Sequence, residues 1–236
     1  MTSSGNSVVI VDAVRTPIGK RNGGLSTMHP GETLGLVQKA LIERTGIDPA
    51  LIEQVIGGVV SQVGEQAFNL TRTAWLGAGL PLSTAATTVD TQCGSSQQAT
   101  GLAASLIGSG VVDIAMACGV EAMSRVPIGV SGSKKLGHGV PIPPPYFDQY
   151  EMTSQFEGAE RIADKWSITR EDTDAFGLAS QQRAIQAWEE DRFAGQYITV
   201  EAPDVDEEGN PTGTTHTVAR DEGLRETSME KLATLK

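Results

Sequence analysis

The sequence has 236 residues, 39% hydrophobic and 20% charged, a composition typical of a globular protein with a core rather than a disordered chain. The formal net charge of -11 disfavours DNA or RNA as a partner, because phosphate binding needs clustered cations. No stretch approaches the apolar length of a membrane span, and the N-terminus lacks the pattern of a signal peptide, so we expect a cytoplasmic protein without membrane contact.

The first 122 residues predict strands that alternate with helices. Strands are expected over residues 7–14 (buried), 55–61, 85–91 and 112–122, and helices over 32–45, 69–78 and 94–107. This alternation implies βαβ units and a mainly parallel sheet, so the predicted fold class is α/β. The glycines inside residues 55–61 indicate a close approach by another part of the backbone.

The composition of the sequence changes near residue 123, where we place a domain boundary. Residues 125–147 are dense in proline and glycine and exclude a core strand. Thr169 is predicted to cap a helix that runs to about Asp191, with Phe176, Ile185 and Trp188 on or near its buried face. Residues 214–221 predict an exposed strand, and no buried hydrophobic strand is expected in residues 123–236.

The chemically informative segment is TVDTQCGSSQQATG, residues 88–101. A β-branched strand leads into Cys93, followed by a Gly-Ser-Ser turn and a helix. The helix N-terminus would favour a thiolate, and the amides of Gly94, Ser95 and Ser96 could stabilise an oxyanion. The competing interpretation is a small buried hydrophobic residue, which is the more common role of a single cysteine.

The segment around Cys93 resembles the active-site signature of the thiolase family, in which a nucleophilic cysteine is followed by Gly-Ser. Further segments resemble the same family, and together they cover essentially the whole chain: VVIVDAVRTPIGKRNGGL, GGVVSQVGEQAFNLTRTAWLGAGLP, ACGVEAMS, QFEGAERIADKWSITREDTDAFGLASQQRA and RDEGLRETSMEKLATLK. The resemblance implies the N-terminal half of a thiolase fold, with a mixed, mainly parallel sheet, helices on both faces and an inserted loop domain. Residues 1–123 would form the N-terminal domain and residues 124–236 the loop domain, with the C-terminal catalytic domain absent.

The resemblance implies an acyl-CoA acyltransferase that cleaves 3-ketoacyl-CoA with CoA, or runs the reverse condensation, through an acyl-Cys93 intermediate. Coenzyme A and acyl-CoA would be substrates, with no permanently bound cofactor and no metal. By resemblance, Arg225 and Ser228 fall where the loop domain meets the nucleotide, and ordinary surface polarity is the alternative for both. The family's activating histidine and second catalytic cysteine belong to motifs absent from this sequence, so a chain ending at Lys236 is expected to be inactive alone.

The remaining candidates are interpreted structurally. Cys118, where the family more often has glycine, is predicted to be a small core residue, and Asp90 stands where the family commonly has asparagine. His29 and His216 are predicted to be solvated, and His138 lies in the Gly/Pro-rich insert, where lining an acyl channel is the alternative to a solvated loop position.

Two other functions compete with a thiolase. One is a non-catalytic acyl-CoA-binding or assembly module of the same fold, and the other is a decarboxylating condensing enzyme, which the Cys-Gly-Ser-Ser turn and the long insert disfavour. We expect a homodimer or homotetramer, because family members pair their sheets near the nucleophile.

Overall fold

Three parallel strands form the sheet of the computed structural model, which describes residues 7–235. The strand order is β2-β1-β3, and the strands are β1 (Gln54–Gly58), β2 (Ala85–Val89) and β3 (Ala115–Gly119). The register aligns Gln54 with both Ala85 and Ala115. The carboxyl ends of the three strands therefore lie side by side at one edge of the sheet.

Helices cover both faces of this sheet: α1 (Pro30–Thr45), α2 (Leu70–Gly77) and α3 (Ser95–Gly108). Successive residues of a strand point to opposite faces. Val55 accordingly packs with Ile42 of α1 and Trp75 of α2, whereas Ile56 packs with Ala99 of α3. Burial on both faces explains why β1 contains only apolar residues and glycine from Val55 to Gly58. The predicted α/β class is confirmed.

A hairpin from late in the chain completes this unit, in which the residues up to Ser133 pack with Gly195–Glu222. Its antiparallel strands are β4 (Val200–Val205) and β5 (Pro211–Val218). Val200, Ala202 and Val218 are buried around Met28, and the Arg15 guanidinium lies 2.7 Å from the Asp221 carboxylate. These contacts join segments about two hundred positions apart in the sequence.

The second unit contains Lys134–Ala194 and the residues from Gly223 onward. Its helices are α4 (Tyr146–Gln149), α5 (Gln155–Trp166), α6 (Arg170–Glu189) and α7 (Met229–Ala233). Thr169 and Asp172 form a reciprocal capping box at the start of α6, which confirms the predicted cap. The Arg170 guanidinium donates to the Leu232 carbonyl at 2.6 Å and so ties α7 to α6.

Three expectations from the sequence are wrong. Residues 7–14 form no strand, and Val9, Ile10 and Val11 are 71–81% exposed, because a strand requires a pairing partner. Phe176 is 76% exposed and not on a buried face of α6. Strand β4 lies where no buried strand is predicted, yet its Val200 and Ala202 are completely buried.

The predicted domain division near residue 123 stays a prediction. By their contacts, β4 and β5 belong to the unit that carries the sheet, although they follow most of the second unit in the sequence. Among the described residues, no helix is long and apolar enough to span a bilayer.

Candidate active site

Cys93 lies in the turn between β2 and α3, and its side chain is exposed. The Val59 amide donates to the Val89 carbonyl at 3.0 Å, so the pairing continues one residue past β1. Gln92 then adopts a φ of 53°, in the left-handed region that non-glycine residues occupy at a cost. The sharp turn leaves Cys93 at the carboxyl edge of the sheet, immediately before the helix, as the sequence predicts.

Two glycines let α3 begin directly against the sheet. A Cβ atom on Gly58 would lie 2.5 Å from both the Ser95 carbonyl carbon and the Ser96 amide nitrogen. A Cβ atom on Gly119 would lie 2.1 Å from the Ser96 hydroxyl oxygen. The predicted close backbone approach is therefore confirmed at Gly58, and the first turn of α3 is seated on β1 and β3.

Two amides expected to serve an oxyanion are engaged inside the turn. The Gly94 amide donates to the Thr91 carbonyl at 3.2 Å, and the Ser95 amide donates to the Gln92 carbonyl at 3.0 Å. Such bonds over three residues are what close a turn this tight. The expectation that these two amides face a substrate oxygen is thus wrong in this arrangement.

Glu121 connects the loops that leave β1 and β3 at the same edge. Its carboxylate accepts the Val60 amide at 2.9 Å, the Ser61 amide at 3.2 Å and the Gln66 side-chain amide at 3.0 Å. Gln66 is completely buried, and its oxygen accepts the Ala122 amide at 2.8 Å. The sequence reasoning did not find this network, although Glu121 stands within the ACGVEAMS segment.

An ion pair between Arg125 and Glu65 joins the same two loops further from the sheet. The Arg125 guanidinium contacts the Glu65 carboxylate at 2.5 and 2.6 Å and also donates to the Ser26 carbonyl at 3.3 Å. The hydrogen bond from Arg125 lowers the pKa of Glu65, because the guanidinium stabilises the ionised carboxylate. The contact therefore fixes loop geometry, although an exposed pair of this kind adds little stability.

Cys118 is a core residue, as predicted. It lies on β3, packs against the cluster that contains Trp75 and Met116, and accepts a 3.6 Å hydrogen bond from the Gln38 side-chain amide. Burial raises the pKa of the Cys118 thiol to about 11. This cysteine is consequently a neutral thiol at physiological pH and a poor nucleophile.

Two histidines make contacts within the fold. The Nδ1 atom of His29 accepts the Gly31 amide at 3.0 Å and caps α1. The ring of His216 lies between the Asp204 carboxylate, 2.7 Å from Nδ1, and the Gly24 carbonyl, 2.9 Å from Nε2. The hydrogen bond to Asp204 raises the pKa of His216. Neither ring is simply solvated as predicted, whereas His138 is exposed.

The two predicted CoA contacts lie in the second unit. The Arg225 side chain is exposed, and its amide donates to the Gln181 side chain at 2.9 Å. Ser228 caps α7, and its hydroxyl oxygen accepts the Lys231 amide at 3.3 Å. Within residues 7–235, no group of three or more His, Cys, Asp or Glu side chains could hold a metal ion.

Residues 8–236 match the family described as the thiolase N-terminal domain. The chain belongs to the thiolase family. The steroid 3-ketoacyl-CoA thiolase FadA6 of Mycobacterium tuberculosis is 39% identical to this thiolase chain over 246 residues, which cover 100% of the chain and 58% of the relative. The 3-ketoacyl-CoA thiolase of Shewanella baltica is also 39% identical, over 97% of the chain and 57% of its own length. The thiolase chain thus spans somewhat more than half the length of these relatives.

Proposed function

We propose that this chain carries the nucleophile of an acyl-CoA acyltransferase that thiolytically cleaves 3-ketoacyl-CoA, or catalyses the reverse condensation. The observation that carries the proposal is the position of Cys93. It is exposed at the carboxyl edge of a parallel sheet, on a turn between strand and helix. A nucleophile placed in this way projects from the sheet toward a substrate, and the helix N-terminus favours negative charge beside it.

The proposed reaction has two half-reactions. The Cys93 thiolate attacks the 3-keto carbon, the bond between C2 and C3 breaks, and C2 takes up a proton as acetyl-CoA leaves. The CoA thiolate then attacks the acyl thioester, which releases the shortened acyl-CoA and regenerates the Cys93 thiolate. The proton donor and the base would come from the histidine and second cysteine that the family carries in its C-terminal half.

The proposal includes CoA contacts at Arg225 and Ser228. The exposed Arg225 guanidinium suits a phosphate of CoA, whereas the Ser228 hydroxyl already caps α7. In the complete enzyme, Arg225→Ala should raise KM for CoA about 5-fold with little change in kcat, as expected for loss of one exposed charged contact. An unchanged KM would remove Arg225 from the CoA site.

The substrate class is best tested on the complete protein with a panel of 3-ketoacyl-CoA thioesters. The panel should contain linear chains of graded length and a steroid side-chain thioester, because one relative is named for steroid substrates. Acetyl-CoA release and the mass of the Cys93 peptide are the two readouts. Turnover that persists in Cys93→Ser, or acylation of Cys118 instead, would overturn the proposal.

We further propose a homodimer or homotetramer that acts in the cytoplasm, in fatty-acid or related β-oxidation. The support for an oligomer is that β2 lies at an edge of the described sheet and has no strand neighbour beyond it among the described residues, where the Asn69 side chain donates to the Ala86 carbonyl. Light scattering of the complete protein at micromolar concentration should give at least twice the monomer mass.

A further inference from the structure

The residue before Cys93 has an unfavourable backbone conformation that something must hold in place. Gln92, with its φ of 53°, adopts the left-handed region, in which the Cβ atom of a non-glycine residue crowds the following carbonyl oxygen. Such a conformation persists only when the surrounding contacts fix it. The contacts of the peptide groups on either side of Gln92 therefore decide how the turn is held.

Both sides of Gln92 are held by side chains. Its amide donates to the Asp90 carboxylate at 2.7 Å. Its carbonyl accepts the Ser95 hydroxyl at 2.6 Å, in addition to the Ser95 amide. The Ser95 oxygen also accepts the Thr91 amide at 3.0 Å. One hydroxyl thus binds the two residues that precede Cys93.

Ser95 does not act as a helix cap. The N-cap of α3 is Gly94, and no side chain makes a capping bond there. Ser95 is only 4% exposed, whereas its neighbours Gln92, Cys93 and Ser96 are exposed. A buried hydroxyl requires partners. The partners of the Ser95 hydroxyl are the Thr91 amide, the Gln92 carbonyl and, at 3.5 Å, the Asp90 carboxylate, and all three lie in the turn rather than in the helix.

The main chain of Ser95 is itself fixed by the sheet. Its carbonyl carbon packs so closely on Gly58 that no Cβ atom would fit between them. The sheet therefore holds Ser95, and Ser95 and Asp90 hold Gln92. The direction of the Cys93 side chain follows from the peptide plane that Gln92 sets.

We infer that Asp90 and Ser95 are positioning residues, which orient Cys93 by fixing Gln92 from both sides. The inference rests on the proposed function of Cys93 as the nucleophile. No described hydrogen bond joins either side chain to Cys93, so both act through the backbone of the turn.

The test uses the complete enzyme and the variants Ser95→Ala and Asp90→Ala. Ser105→Ala is the matched control, because the Ser105 hydroxyl also bonds a carbonyl, that of Gly101 at 2.8 Å, but on an exposed part of α3. A misdirected nucleophile should lower kcat about 10- to 100-fold with KM nearly unchanged. Asp90→Asn keeps an acceptor oxygen, so its kcat should be well above that of Asp90→Ala.

A second readout does not depend on thiolase turnover. The rate of Cys93 alkylation by iodoacetamide should fall several-fold in Ser95→Ala and Asp90→Ala, but not in Ser105→Ala. Slower alkylation in a protein without thiolysis would sink the proposed function and leave the positioning role intact. Alkylation and kcat equal to those of the Ser105→Ala control would overturn the positioning role. Asp90 is exposed, so its variants should fold and still test the positioning role if Ser95→Ala does not fold.

Discussion

Replacing Gly58 by alanine should displace the helix that follows Cys93. The added Cβ atom would lie 2.5 Å from the Ser95 carbonyl carbon and the Ser96 amide nitrogen. Ordinary contact needs about 3.4 Å, so the two chain segments must separate by roughly 0.9 Å at this point. Both neighbours are backbone atoms, and no side-chain rotation can relieve the contact.

The expected cost combines two opposing terms. Overpacking a tightly packed site costs about 1–3 kcal/mol, whereas replacing glycine by alanine in the unfolded chain returns about 0.4–1 kcal/mol. We therefore expect Gly58→Ala to lower the free energy of unfolding by roughly 1–2 kcal/mol. A loss of that size lowers the melting temperature by about 2–8 °C for a protein of this length.

Thermal unfolding followed by circular dichroism measures this effect, and Gly101→Ala is the matched control. Gly101 lies on α3, and a Cβ atom added there would have nothing within 4 Å, so alanine should stabilise the helix by about 0.5–1 kcal/mol. The two variants should thus change the melting temperature in opposite directions. A Gly58→Ala protein at least as stable as the parent would refute the inference that α3 packs too closely on Gly58 to admit a side chain.

Three further outcomes are expected. Native protein treated with iodoacetamide at pH 7 should be labelled at Cys93 and not at Cys118, whose raised pKa keeps it a thiol, as peptide mass spectrometry would reveal. The raised pKa of His216 means that its contribution to stability is complete below about pH 6.5 and is lost as pH rises through its folded value, so melting temperatures of the parent and His216→Gln should converge at alkaline pH. Thr169→Ala removes a helix cap and should lower the free energy of unfolding, measured in urea, by about 1 kcal/mol. The control Thr173→Ser, at an exposed position of the same helix, should leave this free energy unchanged.

Local patterns in the sequence were enough to place the sheet and its helices. Strands β1 and β3 are mostly apolar, β2 is rich in β-branched residues, and α2 and α3 end at Gly77 and Gly108, so the order of these elements could be inferred from the residues alone. The segment 7–14 has the same β-branched composition but forms no strand, because composition cannot supply a partner. Strand β4 was missed because only alternate residues, Val200 and Ala202, are buried, and Pro203 interrupts the pattern.

For the candidate site, the sequence likewise predicted the local elements but not the contacts that depend on the folded structure. The segment around Cys93 correctly predicts a turn between strand and helix, where the proposed nucleophile lies, and the glycines of β1 correctly indicate a close approach. The direction in which the Ser95 hydroxyl points depends on the left-handed turn at Gln92, which the sequence does not reveal. The role of Glu121 depends on two loops that meet only after the sheet has formed.

The late hairpin of β4 and β5 has a consequence for folding during synthesis. Residues 15–28 cannot gain their contacts with Val200, Val218 and Asp221 until about a hundred residues after β3 have been made. At 5–20 residues per second, this delay is about 5–20 s. The sheet should therefore gain protection from hydrogen exchange first, and a ribosome stalled near residue 195 would hold it with Met28 still uncovered.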